Sequence, residues 1–518
     1  VVAVSLLAAA CSSSPSPFAN TPGSTPAVSA AVTTALTTDV QDPDPDVFHQ
    51  TQGIAVITST YEGLLRYLPN STTVEPALAQ AWKVSGDGLT YTFTMRQGVM
   101  FHDGTLMDSM AAKTSFERRT AINAAPAYML SAVAGYDTPD PLTFVIRLKH
   151  PVSAFADYLA SPYGPKLESP MALTMHAGSD MGQTWLKTHD VGTGAFQIGE
   201  FVPGDHYLLQ RFDNYWGPAP LLRQVKITIV TDLTTQQMQL QSGQLQMVLQ
   251  GLSKQAQATI AADPKFSIVT FLAEVKAMLF VNPNKGIFAD PGLRSALRSA
   301  IARQPFLDQV YGTSATLSAQ MYPTGELPTG MAMDTPKYDP TVLAAKVASL
   351  STKTVDLAYS TDDPRNQLDA QIVQMVLQTA GLTVTLRGTS AAQTADLPNH
   401  PDQAPDLLVT TVSPDSGSPD SWGRQFYYTP GGGNGIQNYL RASVPGGDAL
   451  LDQGLTAIDR TVAQQSFAMA GDQYAASGDF ITLVDVKDVL AVHMGYVNFI
   501  HQPPVVGTIR WGDVKLGP

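Results

Sequence analysis

The sequence predicts a mixed α/β protein built of two or three lobes. Three observations carry that expectation. A chain of 518 residues is longer than one hydrophobic core usually supports. Tyr91, Phe93 and Met95 alternate with Thr92, Thr94 and Arg96, and Leu142, Phe144, Ile146 and Leu148 alternate with Thr143, Val145, Arg147 and Lys149, the period of strands with one buried face. Farther along, segments of helical period are followed by strand-like runs, the order of an α/β lobe.

Taken in order, residues 12–34 are rich in Ser, Thr, Pro and Ala with almost no aromatics, and are expected to be a flexible linker. Residues 38–46, acidic and broken by Pro43 and Pro45, suggest a solvated loop. Residues 54–65 are apolar at helical spacing. In the densely patterned stretch 61–104, Ser85-Gly86-Asp87-Gly88 and His102-Asp103-Gly104 are turn chemistry at the ends of the first alternating strand. Val191-Gly192-Thr193-Gly194 is a turn entering a strand, because Gly-x-Gly without a third glycine or Lys-Ser/Thr is a weak phosphate cradle.

A strand over 226–230 precedes a Gln-rich helix capped by Asp232 and ended near Gly243. Asp290 and Pro291 open a helix with Leu293, Ala296, Leu297, Ala300 and Ile301 on one face. A helix over 368–379, closed by Gly381, leads to a strand over 383–386. Residues 411–440 are rich in loop signals, 449–476 carry a long amphipathic helical pattern, and 480–483 begin the last strands.

Composition excludes some functions. The net charge of −13 and the absence of any Lys/Arg cluster argue against nucleic acid, which needs a basic face to release counterions. With 44% hydrophobic and 14% charged residues, the chain reads as a globular protein. The motifs His-Glu-x-x-His, Gly-x-Ser-x-Gly and Cys-x-x-Cys are missing, and the nine His are scattered without metal-ligand spacing. Neither an enzyme nor a metal or other cofactor is expected. Glu62, Glu75, Asp87, His102 and Asp103 imitate an active site, but a His beside an Asp in a turn is usually structural. This stretch is expected to lie away from the deepest part of any cleft.

The single cysteine, Cys11, follows the apolar run 1–10. That run is too short to span a bilayer but suits the apolar part of a secretory signal whose basic region lies upstream. Leu7-Ala8-Ala9-Ala10-Cys11 resembles a bacterial lipoprotein signal, with Leu four residues before the Cys instead of the usual three. The resemblance implies lipidation of Cys11 and tethering outside the cytoplasmic membrane.

The blocks Tyr61-Glu62-Gly63-Leu64, Phe101-His102-Asp103-Gly104, Val191-Gly192-Thr193-Gly194, Asn214-Tyr215-Trp216-Gly217, Leu293-Arg294-Ser295-Ala296-Leu297 and Asp448-Ala449-Leu450-Leu451-Asp452 occur in an order that resembles the extracytoplasmic solute-binding proteins of peptide-type ABC importers. The resemblance covers essentially 35–510. It implies a bilobal periplasmic-binding-protein-like fold, two mixed α/β lobes with a hinge and an inserted subdomain. Lobe I would comprise 35–60, 185–265 and 489–518, the inserted subdomain 61–184, and lobe II 266–488, with 1–11 the signal remnant. It further implies a monomer that captures a peptide or other small ligand in the cleft and delivers it to a membrane permease and its ATPase.

In peptide-binding relatives a carboxylate of the second lobe takes the ligand's α-ammonium within Trp-x-x-Asp-x-Gly-x-Pro-Asp. The matching stretch here is Val412-Ser413-Pro414-Asp415-Ser416-Gly417-Ser418-Pro419-Asp420. Asp415 falls on the ammonium position, although Pro-Asp-Ser-Gly is also turn chemistry. Val412 replaces the Trp; Trp422, Tyr427 and Tyr428 either line the cleft instead or pack in the core. Ser360 stands where dipeptide-specific relatives carry an Arg for the peptide carboxylate, and Arg365 is expected to face solvent. An oligopeptide therefore fits better than a strict dipeptide. A sugar, haem or metal chelate, or a regulatory role in the cell envelope without transport, is the alternative.

Overall fold

A computed structural model describes residues 30–431, 435–497, 505 and 507–516; Cys11 lies outside the described residues. The chain begins in a four-stranded sheet ordered Ala31–Leu36, Gln224–Ile229, His206–Arg211, Phe196–Val202. Its first pair is parallel and the others antiparallel. The leading strand overlaps the stretch expected to be linker at 31–34. Val32, Thr34, Ala35 and Leu36 are buried there, and its β-branched Val and Thr, which composition alone counts as linker residues, suit a pleated surface.

The region 61–184 carries its own antiparallel sheet, ordered Ala79–Val84, Thr90–Met95, Thr143–Leu148, Val133–Asp140. Tyr91, Phe93, Met95, Phe144, Ile146 and Leu148 face inward, as their alternation requires. The helix Ser109–Ile122, capped by Asp108 on the Ala111 N–H, lays Phe116 edge-on against Phe144 and Tyr136 at ring separations of 5.4 and 5.8 Å.

Two long antiparallel strands, Phe266–Val281 and Phe480–His493, join the first part of the molecule to the second. At one end Leu490 and Val492 pack with the first core. At the other, Val275 to Val281 and Ile481 to Val486 enter a second core. The register slips between Phe271 and Val275, midway along. The second sheet is ordered Met247–Val248, Phe480–His493, Phe266–Val281, Leu407–Val412, Thr354–Ser360, Thr383–Thr389, with Ala315–Leu317 also paired to Phe480–His493.

Both faces of this sheet are covered. Val275, Ala277, Leu279 and Val281 share a core with the helices Pro291–Ala300, Pro340–Ala348 and Pro364–Thr379. Met278 and Phe280 point the opposite way, toward Pro419–Phe426 and Arg460–Ser477. A strand buried on both sides reads as an unbroken apolar run.

Local signals fared well where caps are present. Asp290 accepts from the N–H groups of Gly292 and Leu293, Asp232 accepts from Thr235 N–H, and Gly243 adopts φ +82° after the helix Leu233–Ser242. The pattern over 449–476 resolves into two helices, Pro445–Thr456 and Arg460–Ser477, the second opened by Asp459. The loop-rich region 411–440 contains the helix Pro419–Phe426. Among the described residues no helix is long and apolar enough to cross a membrane.

Candidate functional site

The site is built where the loop after Leu407–Val412 meets the first part of the chain. Asp415 is 5% exposed. Its Oδ1 lies 2.9 Å from His49 Nε2, and its Oδ2 accepts from the Tyr128 hydroxyl at 2.8 Å. Its backbone carbonyl accepts from Ser161 Oγ. The two side-chain partners are 366 and 287 residues distant in sequence, so Asp415 is a contact between lobes as well as a turn residue. Burial opposes a charge on His49, but the charge of Asp415 and its hydrogen bond outweigh it, and the His49 pKa is raised. Burial first, then Asp415, pushes the Tyr128 hydroxyl well above its usual range.

Further contacts close the same seam. Tyr158 donates to Asp420 Oδ2 at 2.7 Å, the Gly417 N–H donates to the Tyr67 hydroxyl at 2.9 Å, and Ser153 Oγ donates to the Gly454 carbonyl at 2.9 Å. Beside this seam lies a cavity of about 680 Å³. Thr72, Trp82, Tyr91 and Asp157 wall it on one side, and Glu326, Gly417, Arg460 and Phe467 on the other. Trp82, Val84, Ser85 and Gly86 line it, so the stretch 61–104 borders the cleft and is not remote from it.

Other sequence-predicted residues are placed differently. Trp422 and Tyr427 are fully buried in a third core, on the opposite face of the second sheet, with Phe426 and Phe480. Trp422 and Phe426, four apart on one helix, share its inward face, with ring centroids 4.7 Å apart. The Tyr427 hydroxyl donates to the Met321 carbonyl. These two are packing residues. Tyr428 is half-buried on the outside, donating to Asp452 Oδ2 at 2.9 Å beneath the Arg424 guanidinium. Ser360 is buried at the end of Thr354–Ser360, its carbonyl held by Asn366 Nδ2 at 3.1 Å. Arg365 does not face solvent freely: it pairs with Asp363 and lies over the Tyr311 ring.

The apparent active site in 61–104 is structural. Glu62 accepts from Thr193 Oγ1 at 2.9 Å, the Tyr215 hydroxyl at 2.9 Å and Trp216 Nε1 at 2.8 Å. One carboxylate thus ties together three sequence blocks. His102 Nδ1 bonds Asp190, and Nε2 lies 3.0 Å from the Gly194 carbonyl. A Cβ on Gly192 would stand 2.0 Å from the Thr60 carbonyl oxygen, and one on Gly194 2.2 Å from that of Ser59. These glycines admit a neighbouring backbone and do not cradle a phosphate.

Asp44, Asp46 and Glu168 bring carboxylate oxygens within 4.8 Å of one another. Arg118 Nη1 already sits 2.9, 2.8 and 3.1 Å from them, in the place a cation would take. The residues sequence reasoning missed are His49, Tyr128, Asp157 and Glu326. His49 and Glu326 lie in irregular segments, and no local pattern distinguishes any of the four.

Residues 73–434 match the model of the bacterial extracellular solute-binding proteins, family 5. The chain is 34% identical over 283 residues to the glutathione-binding protein GsiB of Salmonella paratyphi A, an alignment covering 54% of each. It thus spans about half the length of that relative. It is 25% identical over 485 residues, 90% of each chain, to the probable D,D-dipeptide-binding periplasmic protein DdpA of Escherichia coli K12. The periplasmic binding protein DppA of Helicobacter pylori, in complex with the peptide STSA, superposes with a TM-score of 0.80 over 94% of this chain and 98% of its own at 18% identity. That likeness establishes the mixed α/β periplasmic-binding-protein fold. A family of binding proteins also agrees with the expectation of binding without catalysis. With its model matched across the subdomain, the seam and the Asp415 loop, the chain belongs to the bacterial extracellular solute-binding proteins, family 5.

Proposed function

We propose that this protein captures a peptide between its lobes, outside the cytoplasmic membrane, and delivers it to the permease of an ABC importer. The carrying observation is the cavity of about 680 Å³ beside the Asp415 loop, within the range of about 300–1,000 Å³ typical of small-ligand sites. Asp415 takes the ligand's α-ammonium, replacing the bond to His49. A carboxylate at a closing seam binds a cation strongly because both are withdrawn from water together. The two long strands supply the hinge, bending near the register slip at Phe271 and Val275.

Ser360 in place of an arginine favours an oligopeptide over a strict dipeptide. The names of the relatives, which bind glutathione, a D,D-dipeptide and a peptide, support a peptide-like ligand. Cys11 is the lipidated anchor in this proposal. Metabolic labelling with a fatty acid should mark the full chain and not Cys11→Ser.

Thermal melting against short peptides tests the ligand class. A ligand at a hundred times its Kd stabilises by about 2.7 kcal/mol, which a melting curve resolves. If peptides leave Tm unchanged while sugars, haem or metal chelates raise it, the ligand is of that other class.

A further inference from the structure

The cavity wall contributed by the second lobe carries an acid, Glu326, beside a second buried acid, Glu274, and Asp415 explains neither. Pro323 to Glu326 form a tight turn, closed by the Glu326 N–H on the Pro323 carbonyl at 3.3 Å. Gly325 takes φ +110°, a backbone state that favours glycine at the third position of a turn. The turn is pinned by Thr324 Oγ1, which donates to Asp485 Oδ2 at 2.7 Å. It delivers Glu326 to the cavity wall and lays Gly325 against Glu274, whose Oε1 would stand 3.6 Å from a Cβ there.

Glu326 is 7% exposed and Glu274 3%. Apart from the contact between the two carboxyls themselves, neither oxygen of Glu326, nor Oε2 of Glu274, has a hydrogen-bond partner among the described residues. Two cations are near: Lys276 is committed to Asp485 and Ser318, and Arg460 lines the same cavity, where its charge acts on Asp157. Across the cavity, Asp157 from the first part of the chain lines the same space and is close enough for its charge to act on Glu326. Its own Oδ1 takes only a long bond of 3.4 Å from the Tyr67 hydroxyl. Burial of acids without donors is costly. Burial, then the charge of Asp485, raises the carboxyl of Glu274 to about 8, and burial, then Glu274, pushes that of Glu326 well above its usual range. Two adjoining carboxyls with raised pKa favour the protonated form, and a cation bound beside them favours loss of the proton to water.

We infer that Glu326 and Glu274, with Asp157 opposite, form a subsite for a positively charged group on the ligand, a lysine or arginine side chain or a comparable alkylamine, separate from the ammonium position at Asp415. This deepens the proposed function and rests on the cavity being the peptide site. The two acids stand on the turn and the long strand of the second lobe, and Asp157 on the helix Phe155–Ala160, so a cation bound between them would bridge the lobes.

Calorimetry with short peptides in which lysine, arginine or uncharged norleucine is placed at each position in turn tests the subsite. The expected result is one position at which lysine or arginine binds at least about tenfold tighter than norleucine in the wild-type protein, since a hydrogen bond to a charged group is stronger than a neutral one. Glu326→Gln with Glu274→Gln, and separately Asp157→Asn, should collapse that ratio toward one, with Tm measured to verify folding. If lysine and norleucine peptides bind equally at every position, the subsite is refuted while the peptide site stands. If no peptide of either kind binds, the peptide site fails and the subsite with it.

Discussion

Replacing Asp415 with alanine perturbs the seam where it is most heavily bonded. The side chain is the acceptor for His49 Nε2 at 2.9 Å and for the Tyr128 hydroxyl at 2.8 Å. Hydrogen bonds to a charged group contribute about 1.5–3 kcal/mol each, so the closed arrangement stands to lose at most roughly 3–6 kcal/mol. The net loss is smaller because water reaches both partners once the lobes part, and the His49 side chain is already 20% exposed. A net loss of about 2 kcal/mol moves the closure equilibrium roughly 30-fold toward the open form. Small-angle scattering of the ligand-free protein reads this as a larger radius of gyration in Asp415→Ala. Peptide affinity, read by calorimetry on the same samples, should fall by about tenfold or more. An unchanged scattering profile together with unchanged affinity would refute the reasoning, since Asp415 would then neither hold the lobes together nor take the ligand.

The seam should also respond to pH. The His49 pKa is raised in the closed form, so the contact is at full strength below the ordinary histidine value of about 6.5 and is lost as pH rises through the raised value. The radius of gyration of the ligand-free protein should grow across that window, and His49→Gln should flatten the trend; a trend that persists in the variant assigns it elsewhere. Trp422→Ala should cost about 3–5 kcal/mol in urea unfolding with Kd for peptide changed less than about threefold, because the ring is fully buried in the third core; a selective loss of affinity at normal stability would put Trp422 in the cleft. Gly192→Ala should lower Tm or prevent folding, because its Cβ would stand 2.0 Å from the Thr60 oxygen, and normal stability would contradict that close approach.

Much of the fold was legible because it is written by near neighbours in sequence. The alternation in 91–95 and 142–148 placed the buried face of two strands except at Leu142, which is exposed just before the second strand begins at Thr143, and Asp232, Asp290, Gly243 and Pro291 marked helix ends through geometry set within a few residues. Boundaries failed where composition stood in for pattern. Residues 31–34 read as linker because a short strand of Val, Thr and Ala has the same residues as a flexible tether. The long helical pattern over 449–476 divides at 457–459, where Asp459 caps a new start.

The site was legible only at Asp415, and there by likeness to a motif. His49 and Tyr128 have no sequence signal, because what makes them matter is a partner more than 280 residues away. Trp422 shows the converse: an aromatic beside a binding motif looks like a cleft wall, yet the helix Pro419–Phe426 turns it inward with Phe426.

What the sequence by itself determined was the α/β class, the helix caps, the buried faces of the strands and, through ordered blocks, the family. Only the tertiary structure decided why those blocks occur together. Glu62 holds Thr193, Tyr215 and Trp216, and His102 holds Asp190 and the Gly194 carbonyl. It likewise decided that the cavity is walled by Trp82 and Asp157 on one side and Glu326 on the other. The physical reason is that capping and alternation are settled within a few residues, whereas a carboxylate's partners across a seam are chosen by strand order and chain crossing.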